Sequence, residues 1–594
     1  MIAPLEVRRL QTLVLLGLLA LTLAVFAGVR GHEFVHYDDA ANIYDNPHVA
    51  SVDGANLRWM FTDSDYARRY MPLGWLCYAL NRQVFGLNPQ AFHLVNLGLH
   101  LLNVVLLFLL VKKLVLLARG GAAEAGGEAV AIGCAGAGAL FWAINPLRVE
   151  VVAWASGQIY GVVFLLTMVW ILAWLTARKS GLTPWRRRFW YGLSVAAYGA
   201  SLLTYPLALF GPVALFALEV FPLRRAGLRW RDWFARDALP VWRDKAPFLG
   251  IMAICLALAI VARAVPDPRY RPVSLAEVGL FPRILQAFYI WAYYAWKPWA
   301  PYELAPVYPT LHAFSPWEAG FLLSALGVVG ASAVLFALRR RLPGLLAVWI
   351  CHLVLLVPML GLSEYPHSAA DRYGHVQGVL WSIGIAFALR ALWERRGQVV
   401  LAGMVVAGVS LMFGLLSWQQ VTVWRDSIPL YQAMVSRMGS HPSASRWDEA
   451  LGEHYLRAGL TNAALDSFTN AAACESRRMD RKIWDIGTEP RTHQRMGDIF
   501  VSLGMTREAA DHYRASLDAR PGVTPVVLRY AVALSRLGRD AEALDPLQSA
   551  LRREPGNPAL HHQLALCLRI LGRDAEARTH LEEEQRLKNG RGSS

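Results

Sequence analysis

The hydrophobic pattern of the chain changes character at Trp418. Before it, apolar residues run almost unbroken near 10–29, 93–111, 130–144, 159–177, 189–204, 206–221, 247–264, 319–338, 344–361, 376–392 and 399–417. A helix crossing a bilayer takes about 20 apolar residues, so these runs predict about eleven crossings. Basic residues stand at alternate ends of the runs: Arg8-Arg9, Lys112-Lys113, Arg178-Lys179, Arg186-Arg187-Arg188, Arg224-Arg225, Arg339-Arg340-Arg341, and Arg390 with Arg395-Arg396. Cytoplasmic loops collect such residues, which puts the N-terminus inside and residues 31–92 outside. The first run reads as an uncleaved anchor, because Val29-Arg30-Gly31 is a poor small-residue cleavage site. An odd number of crossings then sends everything after Trp418 to the outer side.

Three stretches depart from simple spans. Residues 283–299 are apolar and aromatic but carry Arg283 and Lys297, and the parity of the flanking runs predicts a re-entrant or interfacial element on the outer face. Over 224–245, Arg229, Arg231, Arg236 and Arg243 alternate with Trp230, Trp233, Phe234 and Trp242, which predicts a basic amphipathic helix on the anionic inner leaflet. In the first outer loop, Trp59, Phe61, Tyr66, Tyr70, Trp75 and Tyr78 suit helices lying on the membrane surface.

After Trp418 the pattern is periodic. The segments Gly504-Met505-Thr506-Arg507-Glu508-Ala509, Gly538-Arg539-Asp540-Ala541-Glu542-Ala543 and Gly572-Arg573-Asp574-Ala575-Glu576-Ala577 start 34 residues apart, and Pro521 and Pro555 keep the step. This is the tetratricopeptide period. An earlier unit holds Gly452, Tyr455, Gly459, Ala464 and Phe468, set off by an insertion near 474–490. Four helix pairs make a short solenoid whose concave face suits an extended peptide. The predicted fold is therefore all-α: a polytopic helical bundle over 1–418, a linker over 419–440, repeats over 441–588 and a tail over 589–594.

Composition agrees with a membrane protein. The 594 residues are 55% hydrophobic and 17% charged, with mean hydropathy +0.31. The formal charge of +15 lies in clusters at the ends of apolar runs and reads as topology, not as a nucleic-acid footprint. Cys77, Cys134, Cys255, Cys351, Cys474 and Cys567 are far apart and show no CxxC spacing, which argues against a zinc site or a disulfide framework.

Four outer stretches gather the candidate chemistry: Asp38-Asp39, Arg68-Arg69-Tyr70, Arg148 with Glu150, and Asp371-Arg372-Tyr373 in the loop that begins Ser363-Glu364-Tyr365-Pro366-His367. Ionisable residues at the membrane edge are functional-site candidates by default. Carboxylates converging with arginines fit glycosyl transfer from a lipid phosphate. The phosphate leaves without a protonating acid but needs cations for its developing charge. A weakly nucleophilic acceptor hydroxyl gains from a carboxylate base. On this reading Asp39 is the base and Asp38 orients the acceptor or a metal, while Arg148, Arg372, Arg69, Arg68 and Lys297 are the cations for the donor phosphate. A hard divalent cation on the acidic pair stays open, as does action without one.

The stretches Phe34 to Val49, Phe85-Gly86-Leu87-Asn88-Pro89, Phe92-His93-Leu94-Val95-Asn96 with His100, Asn145 to Trp154, and Ala370-Asp371-Arg372-Tyr373 carry a resemblance. In order and placement they resemble the transmembrane and tetratricopeptide-repeat O-mannosyltransferases and their bacterial relatives, in the GT-C superfamily. The resemblance implies a multi-span enzyme that takes a sugar from a polyprenyl phosphate, with Asp38-Asp39 at the catalytic position and Glu150, Asp371, His48 and His93 supporting it. Met71, the neutral run Ser156-Gly157-Gln158-Ile159-Tyr160, and Tyr205 stand where such relatives tend to carry charged or basic residues.

The expected activity is inverting transfer of a sugar such as mannose to Ser or Thr hydroxyls of exported proteins held in the repeat groove. The expected setting is a bacterial inner membrane with the repeats in the periplasm, and the expected partners are the lipid-linked sugar, the acceptor peptide and membrane lipids, with no nucleic acid. Two alternatives share the sequence: the same donor with a cell-envelope glycan or lipid acceptor, and a scaffold that has lost catalysis.

Overall fold

The computed structural model describes residues 4–118, 125–227, 230–234, 238–264, 275, 276, 278–308, 317–362, 369–393, 398–439, 441, 444–476 and 489–590. Among them every regular element is a helix. The chain forms two compact units, Met1–Leu430 and Tyr431–Ser594.

The first unit contains α1 (Pro4–Phe26), α2 (Gly54–Thr62), α3 (Pro72–Phe85), α4 (Pro89–Leu117), α5 (Ala125–Ala143), α6 (Val149–Ala153), α7 (Gln158–Ala177), α8 (Pro184–Thr204), α9 (Pro212–Val220) and α10 (Leu239–Ala264). It continues with α11 (Leu280–Trp296), α12 (Ala319–Ala337), α13 (Pro343–Leu355), α14 (Gly374–Gln377), α15 (Val379–Trp393) and α16 (Val399–Val423). α4 packs on α5 and α7, α5 also on α1 and α15, and α7 on α8. The outward faces of α1, α12 and α16 stay apolar, as at Leu13, Leu16, Leu323, Leu326, Val400 and Leu411. An exposed apolar surface of that extent belongs against lipid or another protein.

Six helical stretches among the described residues are long and apolar enough to cross a membrane: Leu5–Gly31, Pro89–Leu117, Ala155–Ala177, Leu239–Ala264, Ala319–Ala337 and Val400–Val423. Two bent pairs, around α5–α6 and α14–α15, raise the number to eight, short of the eleven the hydropathy pattern predicts. The shortfall has local causes. The run 206–221 splits into a turn at Pro206–Ala208 and the nine residues of α9, and the run 344–361 stops as a helix at Leu355 before the turn Val357–Met359. Proline supplies no N–H and ends a helix from within an apolar run. α8 begins on Arg186, Arg187 and Arg188, so its first turns are polar.

Other expectations change too. The amphipathic stretch 224–245 is not one helix: its described residues form a turn at Trp230–Trp233 and the start of α10, while Arg229 and Arg236 lie outside the described residues. The expected linker 419–440 is largely helical, being taken up by the end of α16 and by α17 (Ser427–Met438). Of the expected tail and insertion, residues 591–594 and 477–488 lie outside the described residues, as do Ser363 to His367, Arg395 and Arg396.

The second unit is built of α18 (Ser445–Arg457), α19 (Thr461–Ser476), α20 (Glu489–Ser502), α21 (Thr506–Ala519), α22 (Thr524–Arg536), α23 (Asp540–Arg553), α24 (Pro558–Ile570) and α25 (Asp574–Gly590). Consecutive helices pair, and the pairs stack in chain order. Each hairpin turns on a left-handed glycine, at Gly459, Gly504, Gly538 and Gly572, with φ of +74°, +76°, +69° and +73°. The amide after each glycine donates back five residues, for example Met505 to Phe500 at 2.8 Å and Arg539 to Leu534 at 2.9 Å. That is a helix C-cap which a Cβ would strain. Ala509, Tyr513, Leu534, Ala543, Leu547, Leu564 and Leu568 fill the core between the helices.

Candidate active site

The loop after α1 has its own aromatic core. His48 stacks on Trp59 at 4.1 Å, and Trp59, Tyr66 and Trp75 meet one another at 5.5 to 5.8 Å. These rings, expected to lie on a membrane surface, pack on each other. The loop is tied to the bundle by Glu33 N–H to Arg425 O at 2.8 Å and by His36 N–H to Ser427 Oγ at 2.8 Å, and is braced internally by Arg82 Nη1 to Ile43 O at 2.9 Å. His93 Nε2 donates to Glu33 O at 3.2 Å, so His93 acts as a fastening of the loop.

Asp39 is fully buried. Its Oδ2 accepts the Val35 N–H at 3.0 Å, and its Oδ1 accepts the Ser156 N–H at 3.0 Å and the Ser156 hydroxyl at 2.5 Å. Tyr78 in turn donates to Ser156 O at 2.7 Å. Burial pushes the Asp39 carboxyl up to about 7, against the Ser156 and Val35 donors that favour its charged form. A carboxylate without exposure and with three donors is a clamp between the loop and the start of α7. Its neighbour Asp38 is half-buried and acts electrostatically on Arg69.

Two interrupted helices form the floor. The helix axis bends by 60° between α5 and the segment Pro146–Ala153, and by 50° between Asp371–Gln377 and α15. Broken helices inside an apolar body must have their freed backbone groups satisfied. Here side chains do it. Asn145 caps Leu147 N–H at 3.1 Å and donates to Pro298 O at 2.9 Å. Arg148 Nη1 donates to Gly374 O at 3.1 Å and His375 O at 2.9 Å. Glu150 accepts the Arg372 N–H at 2.8 Å and pairs with the Arg372 guanidinium. Asp371 accepts the hydroxyls of Tyr293 at 3.1 Å and Tyr308 at 2.9 Å.

The five expected phosphate cations therefore separate. Arg148 is buried and committed to carbonyls at the second break. Lys297 is buried, donates to Tyr302 O at 2.7 Å and sits 5.0 to 5.7 Å from the rings of Tyr293, Trp296, Tyr302 and Tyr308. Arg68 is buried and donates to Arg263 O. Each of these three donates to a backbone carbonyl. Arg68 and the preceding Ala67 hold φ of +54° and +53°, a left-handed pair that costs about 1–3 kcal/mol per residue. That turn sends Arg68 to Arg263 and Arg69 to a different group.

The charge of Arg69 is influenced by Tyr205, Asp38, Tyr160 and Tyr373. Tyr160 stands 5.2 Å from Tyr205 and 6.5 Å from Tyr373, and the Arg372 guanidinium lies over Tyr373 at 4.9 Å and Trp154 at 5.4 Å. Arg372 thus lies against a cluster of tyrosines. Ser156, Tyr160 and Tyr205 carry no candidate role in the sequence reading beyond marking departures, yet all three belong to this place. Met71 joins them: its Cγ and Ile159 Cγ2 both come within 3.4 Å of where a Cβ on Gly74 would be, and Thr204 O within 2.7 Å. Two of the departures, Tyr160 and Tyr205, are themselves neighbours. Among the described residues no three His, Cys, Asp or Glu side chains converge as a metal site.

No family model matches the chain, and no curated protein matches it. Among solved structures, the chain is similar to MamA at 13% identity, over 28% of this chain and 91% of that one, with a TM-score of 0.24. It is also similar to YrrB, a tetratricopeptide-repeat protein with an unusual peptide-binding site, at 14% identity over 34% of this chain and 93% of that one, with a TM-score of 0.23.

Proposed function

We propose that the first unit is a membrane glycosyltransferase of the GT-C type, which transfers a sugar such as mannose from a polyprenyl phosphate to hydroxyls of exported proteins held by the repeats. The observation that carries this reading is the cluster of Tyr160, Tyr205 and Tyr373, with the Arg372 guanidinium over Tyr373 and Asp38 and Arg69 acting on each other electrostatically. Asp38 is the base for the acceptor hydroxyl. Arg69, with Arg372 behind it, faces the phosphate and takes up its developing charge. Asp39 and Ser156 are positioning residues that set the backbone from which Asp38 projects.

A place for the lipid tail supports the same reading. An apolar cleft of about 560 Å³ runs between α4, α7, α9, α13 and α15, lined by Leu110, Met168, Ala208, Val348 and Phe387 and reaching Val376 and Val379 beside the Tyr373 segment. A tail in that cleft leaves its phosphate to be held near Tyr373 and Arg69. In this scheme the broken segments lie at the outer face of a bacterial inner membrane, and the repeats stand in the periplasm. One observation favours a second reading, a scaffold without catalysis: Tyr160 and Tyr205 leave the site with neutral walls, and the Arg372 guanidinium is already paired with Glu150.

The experiment is sugar transfer in reconstituted vesicles from radiolabelled polyprenyl-phosphate mannose to an envelope-protein extract. The parent is expected to label protein, and Asp38→Asn to lose about 10²–10⁴ of the rate, the usual scale for a general base. Arg69→Ala is expected to fall as far. Absence of transfer by the parent across donor and acceptor classes establishes the scaffold reading instead.

A further inference from the structure

Two histidine pairs recur in the repeats at matching positions. His561 in α24 and His580 in α25 place their Nδ1 atoms 3.0 Å apart, with ring centroids at 5.2 Å. His493 in α20 and His512 in α21 do the same at 3.1 Å and 5.3 Å. Each member of one pair lies 68 residues from its counterpart in the other, twice the 34-residue repeat. The repeat between them has Val527 and Pro546 at the equivalent positions. His561 is buried and the other three imidazoles are half-buried, and the pairing skips one repeat.

We propose that each pair is a binding site for a late first-row divalent cation such as Zn²⁺, Ni²⁺ or Cu²⁺, clamping the two helices of its hairpin. Imidazole nitrogen is the ligand type that these ions prefer. Two nitrogens bound to one ion at about 2.1 Å lie about 3.0–3.4 Å apart for angles between a right angle and the tetrahedral one. Both pairs already fall at the near end of that range. The ligand tautomer is also set at the first site. His561 Nε2 lies 3.1 Å from Pro555 O and donates to it, which leaves Nδ1 with its lone pair towards His580. Metal-bound histidines characteristically donate their second ring N–H to such a carbonyl.

Glu583 acts on His561 and Glu576 on His580, each carboxylate also paired with an arginine, Arg586 and Arg573. His561 is buried while His580 is partly exposed, so the ion reaches the pair from the hairpin surface. No third side-chain ligand converges on either pair among the described residues, and water completes the coordination. The metal competes with the proton that a metal-free pair shares between its two nitrogens, so binding weakens as pH falls below the imidazole range.

The test uses the full chain in detergent, purified on an affinity tag free of histidine, and Zn²⁺ alone as the probe. Metal analysis after gel filtration is expected to give two Zn²⁺ per parent chain, one after His580→Phe and none after His512→Phe with His580→Phe. The control His562→Gln, at the exposed imidazole paired with Glu584, is expected to keep both. Parent chain without Zn²⁺, or Zn²⁺ unchanged in the double variant, overturns the proposal. Should the variants misfold, Co²⁺ on the parent decides: ligand-field absorption bands that appear at pH 7.5 and vanish at about pH 5 support nitrogen ligation, and their absence at both pH values overturns it.

Discussion

In the first unit Glu150 meets Arg372 with side chains 3% and 10% exposed, whereas in the repeats Arg539 meets Glu542 with side chains 39% and 48% exposed. The two pairs are chemically alike and do different work. Glu150 holds Arg372 by both side chain and backbone at a helix break, where water is excluded and every freed N–H needs a partner. Arg539 and Glu542 lie one helical turn apart on a wet surface, where their attraction is screened and offset by side-chain entropy. The same contrast runs through both units. Asp39, Asp371 and Arg148 are each held by particular hydroxyls or carbonyls far away in the sequence, while the ion pairs Arg573–Glu576 and Arg586–Glu583 are local and exposed. Charge in the first unit specifies geometry; charge on the outer faces of the repeats keeps them soluble.

The contrast is broken hardest by Glu150→Gln. It leaves the Arg372 guanidinium buried without its counter-charge and is expected to cost about 3–5 kcal/mol, the usual penalty for halving a buried pair. Thermal unfolding in detergent reads this, and a loss near zero would mean that Arg372 reaches solvent. Ser156→Ala comes next. It removes the hydroxyl that Asp39 Oδ1 accepts at 2.5 Å, with an expected loss of about 1–2 kcal/mol. Asp39 also predicts a pH dependence. Its folded value, about 7, lies above the ordinary 3.8, so its contribution is full below 3.8 and is lost as pH rises through about 7. The parent should therefore unfold at a lower temperature at pH 8 than at pH 6, and Asp39→Ala should flatten that difference.

The repeats slope the other way. Burial, together with the partner imidazole, holds His512 and His580 below the usual histidine range, so the unfolded chain takes up more protons between the two values. Metal-free repeats should lose stability as pH falls through and below about 6.5, the ordinary imidazole value, and a midpoint that does not move between pH 7.5 and pH 5.5 would show the pairs to be indifferent to charge. Arg539→Ala is the smallest change: no measurable shift in unfolding temperature is expected from an exposed surface pair. A clear loss there would place the two units on the same footing after all.

How much could be read in advance follows from how far apart the partners are. Glycines 34 residues apart announce hairpins, because a left-handed turn and its backward hydrogen bond are local requirements. Long apolar runs announce helices, although proline interrupts two of them and the number that reach across falls short of the expected count. The positions of Asp38, Asp39, Arg69, Glu150 and Arg372 as special residues were likewise visible, since charge beside long apolar runs is conspicuous.

Their roles were not visible. Which of two adjacent aspartates is buried depends on Ser156, more than a hundred residues away, and what Arg148 donates to depends on carbonyls released at a helix break. Tyr160 and Tyr205 look like unrelated irregularities until their rings stand 5.2 Å apart. Periodicity and hydropathy are properties of neighbours along the chain, so the sequence alone determined the two units, the repeat and the candidate set. Partner choice among buried polar groups is a property of neighbours in space, because only desolvation and the need to satisfy every donor and acceptor select one pairing over another.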